Sequence, residues 1–260
     1  MRTRALLVVC AFASADAGCK RGAVDRSDGK IPALAAPRLA AGAVTIDGKL
    51  VDPGWRGAPS TGPFVHPGTG KAVPGSPVNA EARVAWDPVH LLLSFTVSDR
   101  APSSPFSPAD VDPHIWERSS AVEVMLQPGD PGDNRGYFEI QVDVAGAVWD
   151  TRFDDYNRPV AVVGGSRRFG HQSWSSGLEQ AVVVDRRRGR YTMEIAVPWL
   201  ALKSARARTP PAPGDVWRLN LYSFRDGQRQ ALAWSPILGQ GNFHRASRFG
   251  RVRFSGGSKK

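Results

Sequence analysis

Ala121-Val122-Glu123-Val124-Met125-Leu126-Gln127 and Gly136-Tyr137-Phe138-Glu139-Ile140-Gln141-Val142-Asp143 form the stretch that decides the fold. In both runs the apolar side chains recur at every second residue, which is typical of a half-buried β-strand. The connection 128–135 is rich in Gly, Pro, Asp and Asn, as expected for a hairpin loop. The stretch therefore predicts two neighbouring strands whose outer face presents Glu123, Glu139 and Gln141, with Trp116 at its entrance.

The rest of the chain repeats this pattern in short segments. Runs with strand character cover 44–50, 80–86, 91–99, 148–153, 178–185, 191–198, 216–224, 231–235 and 248–254. Gly- and Pro-rich turns separate them, and helical periodicity is almost absent. These features predict an all-β fold, an antiparallel β-sandwich of jelly-roll type, over residues 39–254. Residues 255–260 are expected to form a polar tail.

The N-terminus has the composition of a secretion signal over residues 1–18. Arg2 and Arg4 precede an apolar run, residues 5–15, that is too short to span a bilayer. Two cleavage sites remain open, one at Ala13-Ser14-Ala15 and one of lipoprotein type at Ala17-Gly18-Cys19. The second site predicts lipidation of Cys19. Residues 19–38, which are small, polar and Pro-containing, are then expected to form a flexible tether.

Charge and cysteine content limit the environment and the partners. Cys10 would leave with the signal, so the mature chain could form no internal disulfide. The expected location is the periplasm or the outer membrane, with membrane contact through the lipid anchor alone. The net charge of +10 raises a nucleic-acid hypothesis. The densest basic cluster, residues 186–190, has the character of a solvated hairpin tip, and no nucleic-acid motif surrounds it, so no nucleic-acid partner is expected.

Polar side chains beside an aromatic ring are the combination that a sugar requires. Sugars present apolar C–H faces and many hydroxyl groups, which suit an aromatic platform and charged or amide side chains. The candidates are Trp116, Glu123, Glu139 and Gln141, joined by Arg83, Arg218, Asn220 and Tyr222 if their strands share that face. The alternative is that these residues only face water on the outside of a sandwich.

The eight tryptophans divide by their positions in the predicted strands. Four of them occupy apolar positions of strands or strand ends and are expected in the core: Trp55, Trp86, Trp199 and Trp217. The other four lie nearer loops and are candidates for ligand contact: Trp116, Trp149, Trp174 and Trp234.

Carboxylates suggest two further sites. Glu123 and Glu139 on adjacent strands could approach the ~5 Å separation of a retaining glycosidase, although no glycosidase motif flanks them. Asp130, Asp133 and Asn134 supply hard oxygen ligands in one loop, which calcium prefers, so a structural calcium ion is one hypothesis and solvated turn residues are the other.

Several motifs together resemble carbohydrate-binding module family 9. The motifs are Ile46-Asp47-Gly48-Lys49-Leu50, Arg83-Val84-Ala85-Trp86-Asp87, Ala121-Val122-Glu123-Val124, Tyr137-Phe138-Glu139-Ile140-Gln141-Val142, Glu194-Ile195-Ala196-Val197-Pro198-Trp199, Gly214-Asp215, Trp217-Arg218, Trp234-Ser235-Pro236 and Arg248-Phe249-Gly250. Their order spans nearly the whole predicted domain.

The resemblance implies a β-sandwich that binds a mono- or oligosaccharide without cleaving it. In the characterised modules of that family, two tryptophans clamp the sugar and bound calcium is structural. Trp116 matches the first clamp, and Glu123 and Gln141 match its polar partners. The loop 241–244 holds no tryptophan, so Phe243 or His244 is expected to replace the second clamp.

A related sandwich family binds haem through Met together with His or Lys. Met125 and Met193 therefore support a redox alternative, with Met125 on the outer face beside Glu123 and Met193 in a position suited to core packing. The sequence leaves the identity of the sugar and the oligomeric state open.

Overall fold

The structure is a computed structural model that describes residues 24–158, 160–161, 167–168, 170–239 and 241–257. The predicted signal 1–18 and Cys19 lie outside these residues, as does the first part of the predicted tether. Within the described part, none of the helices is both long enough and apolar enough to cross a membrane.

Short strands make up nearly all the regular structure. They are β1 (Ala33–Ala36), β2 (Val78–Trp86), β3 (His90–Asp99), β4 (Ala121–Gln127), β5 (Arg135–Asp143), β6 (Val148–Asp155), β7 (Val160–Ala161), β8 (Arg167–Arg168), β9 (Glu179–Asp185), β10 (Arg190–Pro198), β11 (Val216–Arg225), β12 (Gln230–Ala233) and β13 (Gly250–Phe254). Two single-turn α-helices accompany them, α1 (Pro53–Arg56) and α2 (Ile115–Arg118), with 3₁₀ turns at Gly227–Arg229 and Ala246–Arg248.

The strands form two sheets that pack face to face. The larger sheet has the order β1-β13-β11-β4-β5-β6, with β12 also paired to β11, and the second sheet has the order β2-β3-β10-β9. Strands β7 and β8 pair separately. All pairs in both sheets are antiparallel except β1 with β13. The predicted antiparallel β-sandwich is confirmed.

The main core lies between the two sheets, as the alternation of apolar and polar residues along the strands predicts. Val122, Val124 and Leu126 of β4 point into it, and so do Phe95 of β3 and Ile195 of β10. Every one of these side chains is at most 2 % exposed. Burial of such apolar surface is the dominant favourable term in folding.

The outer face of the larger sheet is also buried, contrary to the sequence-based expectation of a polar exterior. All seven residues of β4 are buried. On this face Met125 and Tyr222 pack against Ile237, Phe243 and Phe249. These three belong to residues 234–239 and 241–249, which we call the covering segment. It crosses the sheet as a third layer, and its irregular sequence has no period that predicts such packing.

The N-terminal part of the domain begins earlier than predicted. Residues 33–36, assigned from the sequence to a flexible tether, form β1 and pair in parallel with β13. Before them, the guanidinium of Arg26 donates hydrogen bonds to the carbonyl oxygens of Pro63 (2.8 Å) and Thr61 (2.9 Å). The tether prediction is therefore wrong for this portion, because the sheet edge at β13 offers backbone partners that a short apolar run can take.

Candidate functional site

A cavity of about 430 Å³ opens where β5, β6 and α2 meet the end of the covering segment. Its floor comes from two neighbouring strands in register, since Gln141 is paired with Trp149 and Glu139 with Thr151. Successive side chains of a strand point to opposite faces, so these alternate residues line one surface. The volume lies within the ~300–1,000 Å³ typical of small-molecule sites.

Aromatic rings form two walls of the cavity. On one side Trp116 stacks on His114, with 4.4 Å between ring centroids, and meets the edge of Trp149 at 4.8 Å. On the other side Tyr156 and His244 stack at 3.9 Å with an interplanar angle of 12°. Trp116 remains partly exposed. The indole predicted to contact a ligand therefore lies on an open cavity wall.

Local packing explains the position of Trp116. It belongs to α2, which is anchored by the fully buried neighbour Ile115. Gly227 has a φ of +66° and lies so close that a Cβ there would meet the backbone oxygens of Trp116 and Glu117. Glycine permits both the left-handed conformation and this approach. The contact brings the next residue, Gln228, to the cavity wall.

Three polar side chains form a connected group at the floor. The amide Nε2 of Gln141 donates to Oε1 of Glu139 (2.9 Å) and to Oε2 of Glu123 (3.1 Å). The amide of Gln228 also donates to Oε2 of Glu123, at 3.0 Å. Glu139 and Gln141 line the cavity, whereas Glu123 lies behind them and is fully buried. Glu123 thus accepts from Gln141 behind the floor, and of the two predicted glutamates only Glu139 lines the cavity.

Several polar atoms at this floor have no partner within the described part of the chain. They are Oε2 of Glu139, Oε1 of Gln141, Oγ1 of Thr151, Nε1 of Trp149 and, behind them, Oε1 of Glu123. Buried polar groups in proteins are almost always hydrogen-bonded, and an unsatisfied one is costly. The first four atoms belong to side chains that line the cavity, where a ligand with donors and acceptors would satisfy them.

Burial shifts the acid–base equilibria of this group. Desolvation, followed by repulsion from Glu139, raises the pKa of Glu123 well above its usual range. Desolvation raises the pKa of Glu139 to about 8. The same cause lowers the pKa of His244 to about 3, so its imidazole is neutral in ordinary buffers. The site therefore contains two acids and no charged histidine partner for them.

His244 is fixed from two directions. The hydroxyl of Tyr137 lies 2.6 Å from its Nδ1, and the side-chain amide of Asn134 donates to its backbone oxygen at 2.7 Å. Its Nε2 is 3.8 Å from Oε2 of Glu139, which is too long for a hydrogen bond. Asn134 also accepts a bond from the backbone N–H of Ala246 (2.6 Å), so this loop residue attaches the covering segment to the hairpin.

The predicted calcium ligands have other partners. Asp130 pairs with Arg218 at 2.7 Å and with Arg251 at 2.8 Å, and Asp133 pairs with Arg206 at 2.7 Å. Asn134 bonds the covering segment as described. Among the described residues, no three His, Cys, Asp or Glu side chains form a group that could hold a metal ion. Arginines take the carboxylates of this loop, so the arrangement gives the calcium hypothesis no support.

Four other predicted site residues do not reach the cavity. Arg83 lies on β2 in the second sheet and donates to the backbone oxygen of Ala58. Arg218 pairs with Asp130, and Asn220 donates to the oxygens of Tyr222 (2.7 Å) and Ser235 (2.8 Å). Asn220 and Tyr222 do share the face of Glu123, as predicted. The covering segment lies over both, so they are structural.

Phe243 is also structural, whereas His244 lines the cavity. The ring of Phe243 stacks on Tyr222 with 4.1 Å between centroids and is only 8 % exposed. Of the two residues expected to replace a second tryptophan clamp, only His244 is in position. Among the other tryptophan candidates, Trp149 lines the cavity, Trp234 is buried in the main core, and Trp174 packs against Phe138.

The two alternative chemistries find little support in the geometry. The thioethers of Met125 and Met193 are fully buried in separate apolar clusters, so neither is available to a haem iron. Glu123 and Glu139 share one amide, and only Glu139 lines the cavity. The pair therefore does not flank a ligand bond in the way that paired glycosidase carboxylates do.

Sequence reasoning missed several wall residues. Thr151 and Phe153 alternate along β6 with Trp149, which was already a candidate, and this period could have indicated a shared face with Glu139 and Gln141. Tyr156 follows the same strand. His114 and Gln228 come from a loop and a 3₁₀ turn, where no periodic pattern marks them.

One family model matches the sequence. Residues 46–257 match the family model described as carbohydrate family 9 binding domain-like. No curated protein shows significant similarity to the sequence. Among solved structures, a proposed carbohydrate-binding protein from Bacteroides uniformis ATCC 8492 has a TM-score of 0.61 at 20 % identity, covering 86 % of this chain and 100 % of its own.

Two structures of a carbohydrate-binding module family 9 from Caldicellulosiruptor kristjanssonii show the same fold. The complex with cellotriose has a TM-score of 0.57 at 15 % identity, covering 86 % of this chain and 95 % of its own. The complex with glucose has a TM-score of 0.57 at 14 % identity, covering 88 % and 98 %. The family model spans most of the sequence, and the chain belongs to the carbohydrate family 9 binding domain-like family.

Proposed function

We propose that the domain binds a mono- or oligosaccharide in the cavity between Trp116 and His244. The observation that carries this proposal is the set of buried, unpartnered polar atoms beside a partly exposed indole. A sugar ring offers an apolar face to the indole and hydroxyl groups to the polar atoms. Membership of the family, and two neighbours in complex with cellotriose and glucose, support the same ligand class.

Each wall has a defined role in this proposal. Trp116 stacks on one face of the sugar, and the stacked pair of Tyr156 and His244 closes the opposite side. Glu139 and Gln141 take the hydroxyl groups through their free oxygens. Glu123 keeps the amide of Gln141 oriented from behind, as a positioning residue.

Binding without cleavage is part of the proposal. Hydrolysis by paired carboxyl groups needs both of them beside the scissile bond, and here Glu123 lies behind Gln141. Incubation with cello- and xylo-oligosaccharides followed by chromatography should show no product. Product formation that is lost in Glu139→Gln would contradict this part.

The decisive experiment replaces Trp116 by alanine. Because the indole stacks on the ligand, we expect affinity for a sugar identified on a glycan array to fall by at least about tenfold, as removal of a stacking aromatic implies. Trp174→Ala is the matched control, since Trp174 is also a partly buried tryptophan but does not line the cavity. Equal losses in both variants would refute a direct contact at Trp116.

Export and lipid attachment remain proposals from the sequence alone. We propose that Cys19 bears the lipid and that residues 24–257 form the exported binding unit. Metabolic labelling with a palmitate analogue should label the wild type and leave Cys19→Ala unlabelled. Release of the unlabelled wild type into the soluble periplasmic fraction would instead favour the cleavage site at Ala15.

A further inference from the structure

The cavity contains acids but no fixed cation among the described residues. Among the described residues, its walls include no Lys or Arg side chain. His114 lies on the wall with its Nδ1 3.1 Å from Glu117, and His244, 3.8 Å from Glu139, is neutral because burial lowers its pKa to about 3. A second acid, Glu123, lies behind the floor with the same bridging amide. Buried acids are normally paired with cations or kept protonated. Within the described part of the chain, Glu139 has no ion pair with a Lys or Arg side chain.

The surrounding walls are also suited to a positive charge. Rings of Trp116, Trp149, Phe153 and Tyr156 surround the floor, with 5.6 Å between the centroids of Phe153 and Tyr156. A cation near an aromatic face is attracted by the ring quadrupole, with a gain that increases when the cation is desolvated. An aromatic enclosure around a buried acid is therefore favourable for a cationic ligand group.

Buried oxygen atoms that lack a hydrogen-bond donor also favour a cationic ligand group. Oε2 of Glu139 and Oε1 of Gln141 are buried acceptors without a donor. An ammonium group has three donors and no acceptor, so it can serve both oxygens at once. Hydroxyl groups could also donate to them, but they would leave the charge of an ionised Glu139 without compensation.

We propose that the preferred ligand is a sugar that bears a free, protonated primary amine, with its ammonium group beside Glu139 and within the aromatic walls. This inference rests on the proposed function and specifies its substrate class. N-acetylation removes the charge of the amine and adds a bulky group, so an N-acetylated sugar should bind with lower affinity than the free amine. A neutral sugar such as cellobiose should bind more weakly at the same position.

Binding of such a ligand should release a proton. In the empty cavity the pKa of Glu139 is about 8, so near pH 6 its carboxyl group is protonated. An adjacent ammonium group stabilises the carboxylate and lowers that pKa. The other titratable groups around the cavity are Glu123, Tyr137, Tyr156, His244 and His114; burial keeps the first three protonated and the imidazole of His244 neutral at this pH, and His114 lies on the Trp116 wall with its Nδ1 3.1 Å from Glu117. The released proton therefore comes from Glu139.

The test is calorimetric titration of the full mature chain with three disaccharides: β-1,4-linked glucosamine disaccharide, its N-acetylated form, and cellobiose. At pH 7.5 we expect the amine to bind at least about tenfold more tightly than cellobiose, the effect of one charge-assisted hydrogen bond. At pH 6, titration in buffers of different ionisation enthalpy should show up to one proton released per amine disaccharide and none with cellobiose.

Variants separate the amine contact from general electrostatics. Glu139→Gln retains the bond from Gln141 and should abolish the amine preference, so that the amine disaccharide and cellobiose bind this variant with equal affinity. The control is Asp154→Asn, which removes an exposed carboxylate on β6 outside the cavity and should preserve the amine preference.

The outcomes distinguish this inference from the proposed function. Binding of cellobiose without an amine preference, or a preference that persists in Glu139→Gln, would overturn the inference and leave sugar binding intact. Failure of all three disaccharides and of a glycan array would overturn both. If Glu139→Gln does not fold, the number of protons that the wild type releases on binding decides between the outcomes. Equal proton release with the amine disaccharide and with cellobiose would contradict a contact between the ammonium group and Glu139.

Discussion

Replacing Glu139 by glutamine is expected to stabilise the domain in alkaline solution and to leave its stability near pH 5 almost unchanged. The carboxyl group is only 4 % exposed, so desolvation disfavours its ionised form in the folded chain. Its pKa rises from the ordinary value of 4.5 to about 8. Glutamine has nearly the same shape and can still accept the bond from Gln141.

The magnitude follows from proton linkage. Between pH 4.5 and 8 the folded chain retains a proton at Glu139 that the unfolded chain has released. The free energy of unfolding therefore falls as pH rises across this window and stays low above it. A difference of about 3.5 in pKa, at ~1.36 kcal/mol for each pH unit, amounts to on the order of 5 kcal/mol. For a domain of this size that is about 10 °C or more in Tm.

Urea unfolding of wild type and Glu139→Gln at pH 5, 7 and 9 measures this difference directly. The two curves should coincide near pH 5 and separate progressively towards pH 9, with the variant more stable. Glu179→Gln, which changes an exposed glutamate on the edge strand β9, should follow the wild type at every pH. Parallel loss of stability in wild type and Glu139→Gln from pH 5 to 9 would refute a buried, protonated Glu139.

Three further substitutions test other parts of the structure. Gly227→Ala places a Cβ within 2.5 Å of the backbone oxygen of Trp116 at a positive φ, so we expect a loss of stability above about 1 kcal/mol and weaker sugar binding, measured by thermal unfolding and titration. Asn134→Ala removes both bonds to the covering segment and should cost about 1–3 kcal/mol, with faster amide exchange at residues 244–246. Phe243→Ala removes a ring stacked on Tyr222 and should cost about 3–5 kcal/mol in urea unfolding; an unchanged unfolding midpoint together with lost sugar binding would show that Phe243 contacts the ligand directly.

The alternation in β4 and β5 was sufficient to predict the sandwich, because a period of two assigns each side chain to one face. It placed Glu123, Glu139 and Gln141 together, and the register confirms that arrangement. What covers that face depends on residues 234–249, which have no regular period. Sequence patterns therefore could not predict that Glu123 lies behind the cavity and that Glu139 lies on its wall.

The predictions that the structure does not support concern contacts between residues that are distant in the sequence. Asp130 and Asp133 have the composition of a calcium loop, and only the fold shows that Arg218 and Arg206 occupy them. Residues 33–36 have weak strand character, and their pairing depends on the free edge of β13. Such contacts depend on the tertiary arrangement, for which local propensity is a weak guide.

The covering segment has a consequence for how ligand preference could diversify among proteins of this fold. It buries the sheet over Met125 and Tyr222 and passes the cavity, where His244 forms one wall. Insertions or deletions near 241–244 would deepen or widen the cavity while the hairpin that supplies Glu139 and Gln141 stays unchanged. Ligand selectivity can therefore change independently of the scaffold, because selectivity depends on the length of this loop and the scaffold depends on the pairing of the strands.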